Sequence, residues 1–163
     1  EDTLDDLILK NTKNNALFFD YLGNDTLRKN PPINFFKKFN LEEEGEHKGK
    51  FDIKNRAIMP LVDGARLFAI SLNLKGINNT YVRFKQLAIA DPKFSEIYLN
   101  CADAFLILTK FRTLEGLKND STGDSINIDE LSKVDKEKLK NALIPMKELE
   151  ELIKDKFQLT QFS

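Results

Sequence analysis

The densest chemistry in the chain lies between Gly45 and Arg56, which reads GEHKGKFDIKNR. Lys48, Lys50, Lys54 and Arg56 place four cations within nine residues, with His47 beside them and Asp52 the one acid in that span. Ammonium and guanidinium groups at this density can hold a phosphate or a nucleotide tail through charge-assisted hydrogen bonds. The same charges can equally stand solvated on a loop. The segment is not a phosphate-binding P-loop: Gly45 and Gly49 lack the GxxxxGK[ST] spacing, and no Ser or Thr follows Lys50.

A second pair of charges, Asp63 and Arg66, interrupts the apolar run PLVDGARLFAI. Unpaired burial costs several kcal/mol, roughly, so they either pair with each other at three-residue spacing or line a cleft. Both readings are open at this stage. Other chemistries are poorly served. One His and one Cys, Cys101, leave no zinc-site pattern, and no Ser or Cys nucleophile lies beside the His to suggest a triad. Helical RNases of the HEPN type need an Arg shortly before the His, where this chain has Leu41, Glu42 and Glu43. Cys101, among Leu99, Ala102 and Phe105, reads as a small buried apolar residue.

The elements that carry these residues follow from composition and periodicity. Lys and Arg number 25 against 26 Asp and Glu over 163 residues, so no basic surplus points to a nucleic-acid partner. Hydrophobic residues make 41% and charged residues 31%, which fits a packed domain and not a disordered or membrane-embedded chain. No apolar run reaches the ~18 residues of a membrane span, and the acidic start (Glu1, Asp2, Asp5, Asp6) is no signal peptide, so a cytoplasmic protein is expected. A start at Glu1 without Met suggests a fragment of a longer protein. Gly and Pro together are only 12 residues, which favours long helices.

Thr3, Asp5 and Asp6 predict a helix start, and a stripe from Leu4 through Leu22 predicts one N-terminal helix within residues 1–30, stopped by Gly23. Pro31-Pro32 forces extended backbone, and Phe35, Phe36 and Phe39 plug into the core. A short β-hairpin is expected around residues 37–53, with Phe51 and Ile53 on one face. A helix from about Asn55 carries Pro60 in its early turns and buries Leu61, Ala65, Phe68, Ala69 and Leu72. Asn79-Thr80 predicts the next cap, Asp91-Pro92 opens a long helix to about Lys118, and 119–128 is a loop. Ser132-x-x-Asp135 resembles a capping box ahead of a last helix that contains Pro145. The result is an all-α, antiparallel up-and-down bundle of four to five helices in one domain, with Phe68, Phe105 and Leu149 facing one another.

The run from Asn30 to Ile70 resembles a bacterial family, the nucleotidyltransferase substrate-binding domain. The family pattern of PPLxFF, GEHK, DLK, PLVDxAR and a Thr-x-x-Arg helix start reads here as Pro31 to Phe36, Gly45 to Lys48, Asp52-Ile53-Lys54, Pro60 to Arg66, and Thr80 to Arg83. The resemblance covers about residues 30–158. It implies a helical partner for a polymerase-β-like nucleotidyltransferase domain earlier in the same chain, often preceded by CBS domains, in signalling proteins similar to protein-PII uridylyltransferases. It implies a protein or small-molecule acceptor, with Mg²⁺ and a nucleoside triphosphate serving the parent protein. Neither a Gly-Ser motif nor Asp-x-Asp occurs here, so no catalytic residue is expected in this chain and it should be inactive alone. On this resemblance and the charge pattern, the candidate substrate-binding residues are His47, Lys48, Asp52, Lys54, Arg56, Asp63, Arg66, Thr80 and Arg83. Lys48, Lys54 and Arg66 are expected to position nucleotide or acceptor, with Asp52 orienting them or completing the catalytic edge. The alternative is a regulatory or dimerisation bundle without a ligand site.

Overall fold

The computed structural model describes residues 4–12, 15–28, 32–33, 38–45 and 47–159. Phe35 and Phe36 lie outside the described residues. Helices dominate: α1 (Leu4–Thr12), α2 (Ala16–Leu27), α3 (Met59–Ser71), α4 (Thr80–Ala90), α5 (Ser95–Asn119) and α6 (Lys133–Phe157). The all-α expectation holds.

In place of the single N-terminal helix that the apolar stripe predicts, two form, and Asn15 accepts the Phe18 N–H to start the second. Gly23 does not end it. It sits buried inside α2, where a Cβ would come 2.7 Å from Leu159 Cδ1, so this glycine serves close packing and not chain reversal. The other caps follow the sequence. Asn79 accepts the Val82 N–H at 3.0 Å, and Ser132 Oγ accepts the Asp135 N–H at 3.1 Å while its hydroxyl donates to the Asp135 carboxylate.

Glu42 exchanges backbone bonds with Gly49 and Lys50, which closes a tight loop within the span expected to form a hairpin. The chain leaves it as strand β1 (Phe51–Asp52), whose antiparallel partner is β2 (Ser125–Ile126) in the loop between α5 and α6. The pairing of Phe51 with Ile126 buries both side chains. A π-helical turn at Lys54–Ile58 then runs directly into α3, with Pro60 at the helix start, where a missing N–H costs nothing.

Helices α5 and α6 are antiparallel. Asp91, just ahead of α5, meets Lys156 at the end of α6, Cys101 meets Pro145, and Lys118 meets Glu130 just ahead of α6. Helix α3 lies on α6 with Gly64 against Leu149 and Phe68 against Phe157. The expectation for Phe105 is corrected here: it is only partly buried, and the aromatic that α5 sends into the centre is Tyr98, fully buried and edge-on to Phe68 at 5.5 Å. Tyr98 can fill that position because its hydroxyl reaches the Asp91 carboxylate at 3.4 Å, so the ring is buried without orphaning its polar end. Burial, the neighbouring Asp91 charge and that hydrogen bond together push the phenol well above its ordinary range.

Candidate functional site

The nine sequence-derived candidates separate into two groups. The first surrounds the turn between β1 and α3. The Asp52 carboxylate accepts the Asn55 N–H and its side-chain amide, both at 2.8 Å, so it closes the start of the π-helical turn and does not orient the cations. Lys54 Nζ donates to Asp124 at 2.9 Å, and Arg56 Nε donates to Glu42 at 2.7 Å. His47 and Lys48 stand exposed on the turn before β1. Arg56 borders an open hollow of about 780 Å³ whose other charged residues are Glu42, Glu43 and Glu44, a poor setting for an anion.

Asp124 organises this group, and the sequence reading had no place for it. Arg112 on α5 donates to it at 2.7 Å, alongside Lys54, while the Asp124 carbonyl accepts the Ile53 N–H at 3.0 Å. One residue therefore ties β1, the π-helical turn, α5 and the loop before α6 together. Partial burial raises the carboxyl's proton affinity, but hydrogen bonds from Lys54, Arg112 and Thr122 outweigh this and hold it below the usual carboxylate range. A depressed folded-state value means that the contribution is present above the unfolded value of about 3.9 and is lost as pH falls through the folded value. Asp124→Asn should therefore lower stability by roughly 1–2 kcal/mol at pH 7, after discounting for partial exposure. The deficit should shrink toward pH 3. Urea midpoints at the two pH values check this, and equal wild-type and variant midpoints at pH 7 would refute it.

The second group meets elsewhere. Arg66 on α3 and Arg83 on α4 both line a cleft of about 210 Å³, walled by Ile8 of α1 and by Ile70, Leu74 and Ile77, with Asn78 at its edge. Arg83 reaches it because Asn79 and Thr80 start α4 immediately before it. Thr80 is buried as the first helical residue, and the Arg83 guanidinium donates to the Ile77 carbonyl. Asp63 lies 3.5 Å from Arg66 at three-residue spacing. Both readings of that pair hold at once: the ion pair forms, and the Arg66 side chain, 58% exposed, still borders the cleft. Among the described residues that line it no side chain is acidic, and the two arginines stand between aliphatic walls.

A family model described as "Putative nucleotidyltransferase substrate binding domain" matches residues 16–157. The chain belongs to that family. No curated protein and no solved structure matches it. The match spans both arginines of the cleft and the whole β1–α3 turn, so both groups belong to the substrate-binding domain proper. Within this domain Cys101 is fully buried, and burial together with the Glu148 charge pushes its thiol far above the reactive range. No helix among the described residues is long and apolar enough to cross a membrane.

Part of the cleft's aliphatic lining has no local signal, because Leu74 and Ile77 belong to the connector between α3 and α4, which has no periodicity. Asp124 has none either, because its partner Lys54 is 70 residues away. The nearest local signal was the Thr-x-x-Arg spacing after Asn79, which marks a capped helix start with a cation on its first turn.

Proposed function

We propose that this domain is the non-catalytic, substrate-binding lobe of a nucleotidyltransferase, and that it positions the anionic part of nucleotide or acceptor for a catalytic domain in the same chain. The observation that carries the reading is the convergence of Arg66 and Arg83, from two separate family motifs on two helices, on one cleft whose described lining holds no acidic side chain. Two planar guanidinium forks suit a phosphate or carboxylate better than two lysines would. The parent protein is similar to protein-PII uridylyltransferases, a cytoplasmic bacterial signalling protein with CBS domains upstream and a protein or small-molecule acceptor. Mg²⁺ and the nucleoside triphosphate serve its catalytic domain. This chain's part in transfer is to bind and orient.

The test uses the protein with both domains, replacing Lys48, Lys54 and Arg66 singly by Ala and measuring transfer rate and Tm together. Arg66→Ala should slow transfer about tenfold to a hundredfold, the value of one charge-assisted contact, with Tm nearly unchanged. Lys54→Ala should lower Tm, because Asp124 loses a partner, and its rate should follow the folded fraction. Lys48→Ala, on an exposed turn, should leave Tm unchanged and slow transfer only if that turn meets substrate. Transfer unchanged in Arg66→Ala, or lost only in proportion to unfolding, would sink the reading.

One observation favours a second reading, a dimerisation or docking bundle. Leu99, Leu106 and Leu117 are exposed on α5, and their spacing puts them on one helical face. Leu106→Lys that changes the oligomeric state by light scattering, with transfer unaffected by Arg66→Ala, would favour it.

A further inference from the structure

The cleft supports a narrower inference, one that rests on reading this domain as a substrate-binding lobe. We infer that it receives a phosphate ester, with the phosphate between Arg66 and Arg83 and the first part of its organic body against the aliphatic walls. Four observations converge. The two guanidiniums come from different helices, so their separation is set by the fold and not by one helical turn. Among the described residues Arg66, itself 58% exposed, is held by one three-residue ion pair at 3.5 Å to half-buried Asp63, an interaction weak enough for an incoming phosphate dianion to displace. The walls from Ile8, Ile70, Leu74 and Ile77 suit the uncharged part of an ester and would be wasted on a bare ion. Finally, about 210 Å³ is below the roughly 300–1,000 Å³ that encloses a whole small-molecule ligand, so the cleft takes a phosphate and the sugar-sized portion next to it.

Among the described residues no aromatic ring lines the cleft, so the lining they form offers no ring to stack on a base. Recognition should therefore be indifferent to the base, leaving base choice to the rest of the protein. A phosphate ester can reach the site as the nucleotide or as a phosphorylated acceptor, and the experiment separates them. The chain contains no tryptophan, so Ile8→Trp puts a single indole at the cleft wall. Emission is followed while ribose 5-phosphate, UTP or ATP is added.

Because an indole at the wall can itself stack on a base, base indifference is read on the unlabelled chain, where UTP and ATP should shift Tm equally to within about 2 °C. With the label in place, a saturable change is expected. It should be weakened about tenfold or more when Arg66→Gln is combined with Ile8→Trp. Arg83→Lys keeps the charge but loses the fork, and should weaken binding to a similar degree. Ribose 5-phosphate binding at least as well as UTP assigns the site to the acceptor, and a clear preference for both nucleotides assigns it to the nucleotide. As a check independent of the label, ribose 5-phosphate, UTP and ATP should raise the Tm of the unlabelled chain but not of Arg66→Gln. No saturable change with any of the three, no Tm shift, or equal binding by Arg66→Gln overturns the inference. Transfer lost in Arg66→Ala without phosphate-ester binding here would overturn this inference alone and leave the substrate-binding lobe standing.

Discussion

Replacing Gly123 by Ala should destabilise the domain by about 3 kcal/mol, a drop of roughly 6–12 °C in Tm for a chain of this size. Gly123 has φ of +69°, in the left-handed region where a side chain is strained. Sterics add more. A Cβ there would lie 1.9 Å from the Arg112 carbonyl oxygen and 2.7 Å from the Gly116 amide nitrogen, both backbone atoms of α5 that cannot swing aside. The loop must lift away from the helix, which moves Asp124 off Lys54 and Arg112 and separates β2 from β1. The effect should therefore include the Asp124 contribution, and Gly123→Ala combined with Asp124→Asn should cost less than the sum of the two. A Tm within 2 °C of the wild type would show that the loop is not seated as described.

Phe68→Ala should cost about 3–5 kcal/mol, measured by urea unfolding. Phe68 is fully buried and meets Tyr98 edge-on and Phe157 at a tilt, each at 5.5 Å between ring centres. Lys156 lies 5.9 Å from its face, and the same ammonium pairs with Asp91. Truncation thus opens a cavity where α3, α5 and α6 meet, with rigid rings on two sides that limit collapse. Phe105→Ala, at a partly exposed position, should cost clearly less. A loss below about 1 kcal/mol for Phe68→Ala, or a larger one for Phe105→Ala, would mean that the helix faces are assigned wrongly.

These two sites show how differently the chain's features could be read in advance. Phe68 lies in the apolar helical repeat with Leu61, Ala65 and Ala69, and periodicity alone put it in the core. Periodicity was less decisive on α5, where Tyr98 and Phe105 are seven residues apart and nearly eclipsed on one face. Which of them enters the centre depends on Asp91, whose carboxylate receives the Tyr98 hydroxyl, and on how deeply α6 covers each end. Only packing decides that. Gly23 shows the same limit, since a mid-helix glycine and a helix stop look alike until Leu159 is seen against it.

The sequence by itself determined that the chain is helical, where α4 and α6 start, that Asn79 and Ser132 cap them, and that its motifs match those of nucleotidyltransferase substrate-binding domains. Those properties depend on neighbours within about four residues, or on motifs read along the chain, and such signals survive without coordinates. Tertiary structure alone decided which charges are committed to the fold and which meet in a cleft. Lys54 and Arg56 stand in the cation-rich segment, yet Asp124 and Glu42 hold them; Arg66 and Arg83, separated by a helix end and a connector, share one opening. The physical reason is that a charge's partner is set by distance in space, and a local window carries no record of residues brought close from 70 positions away.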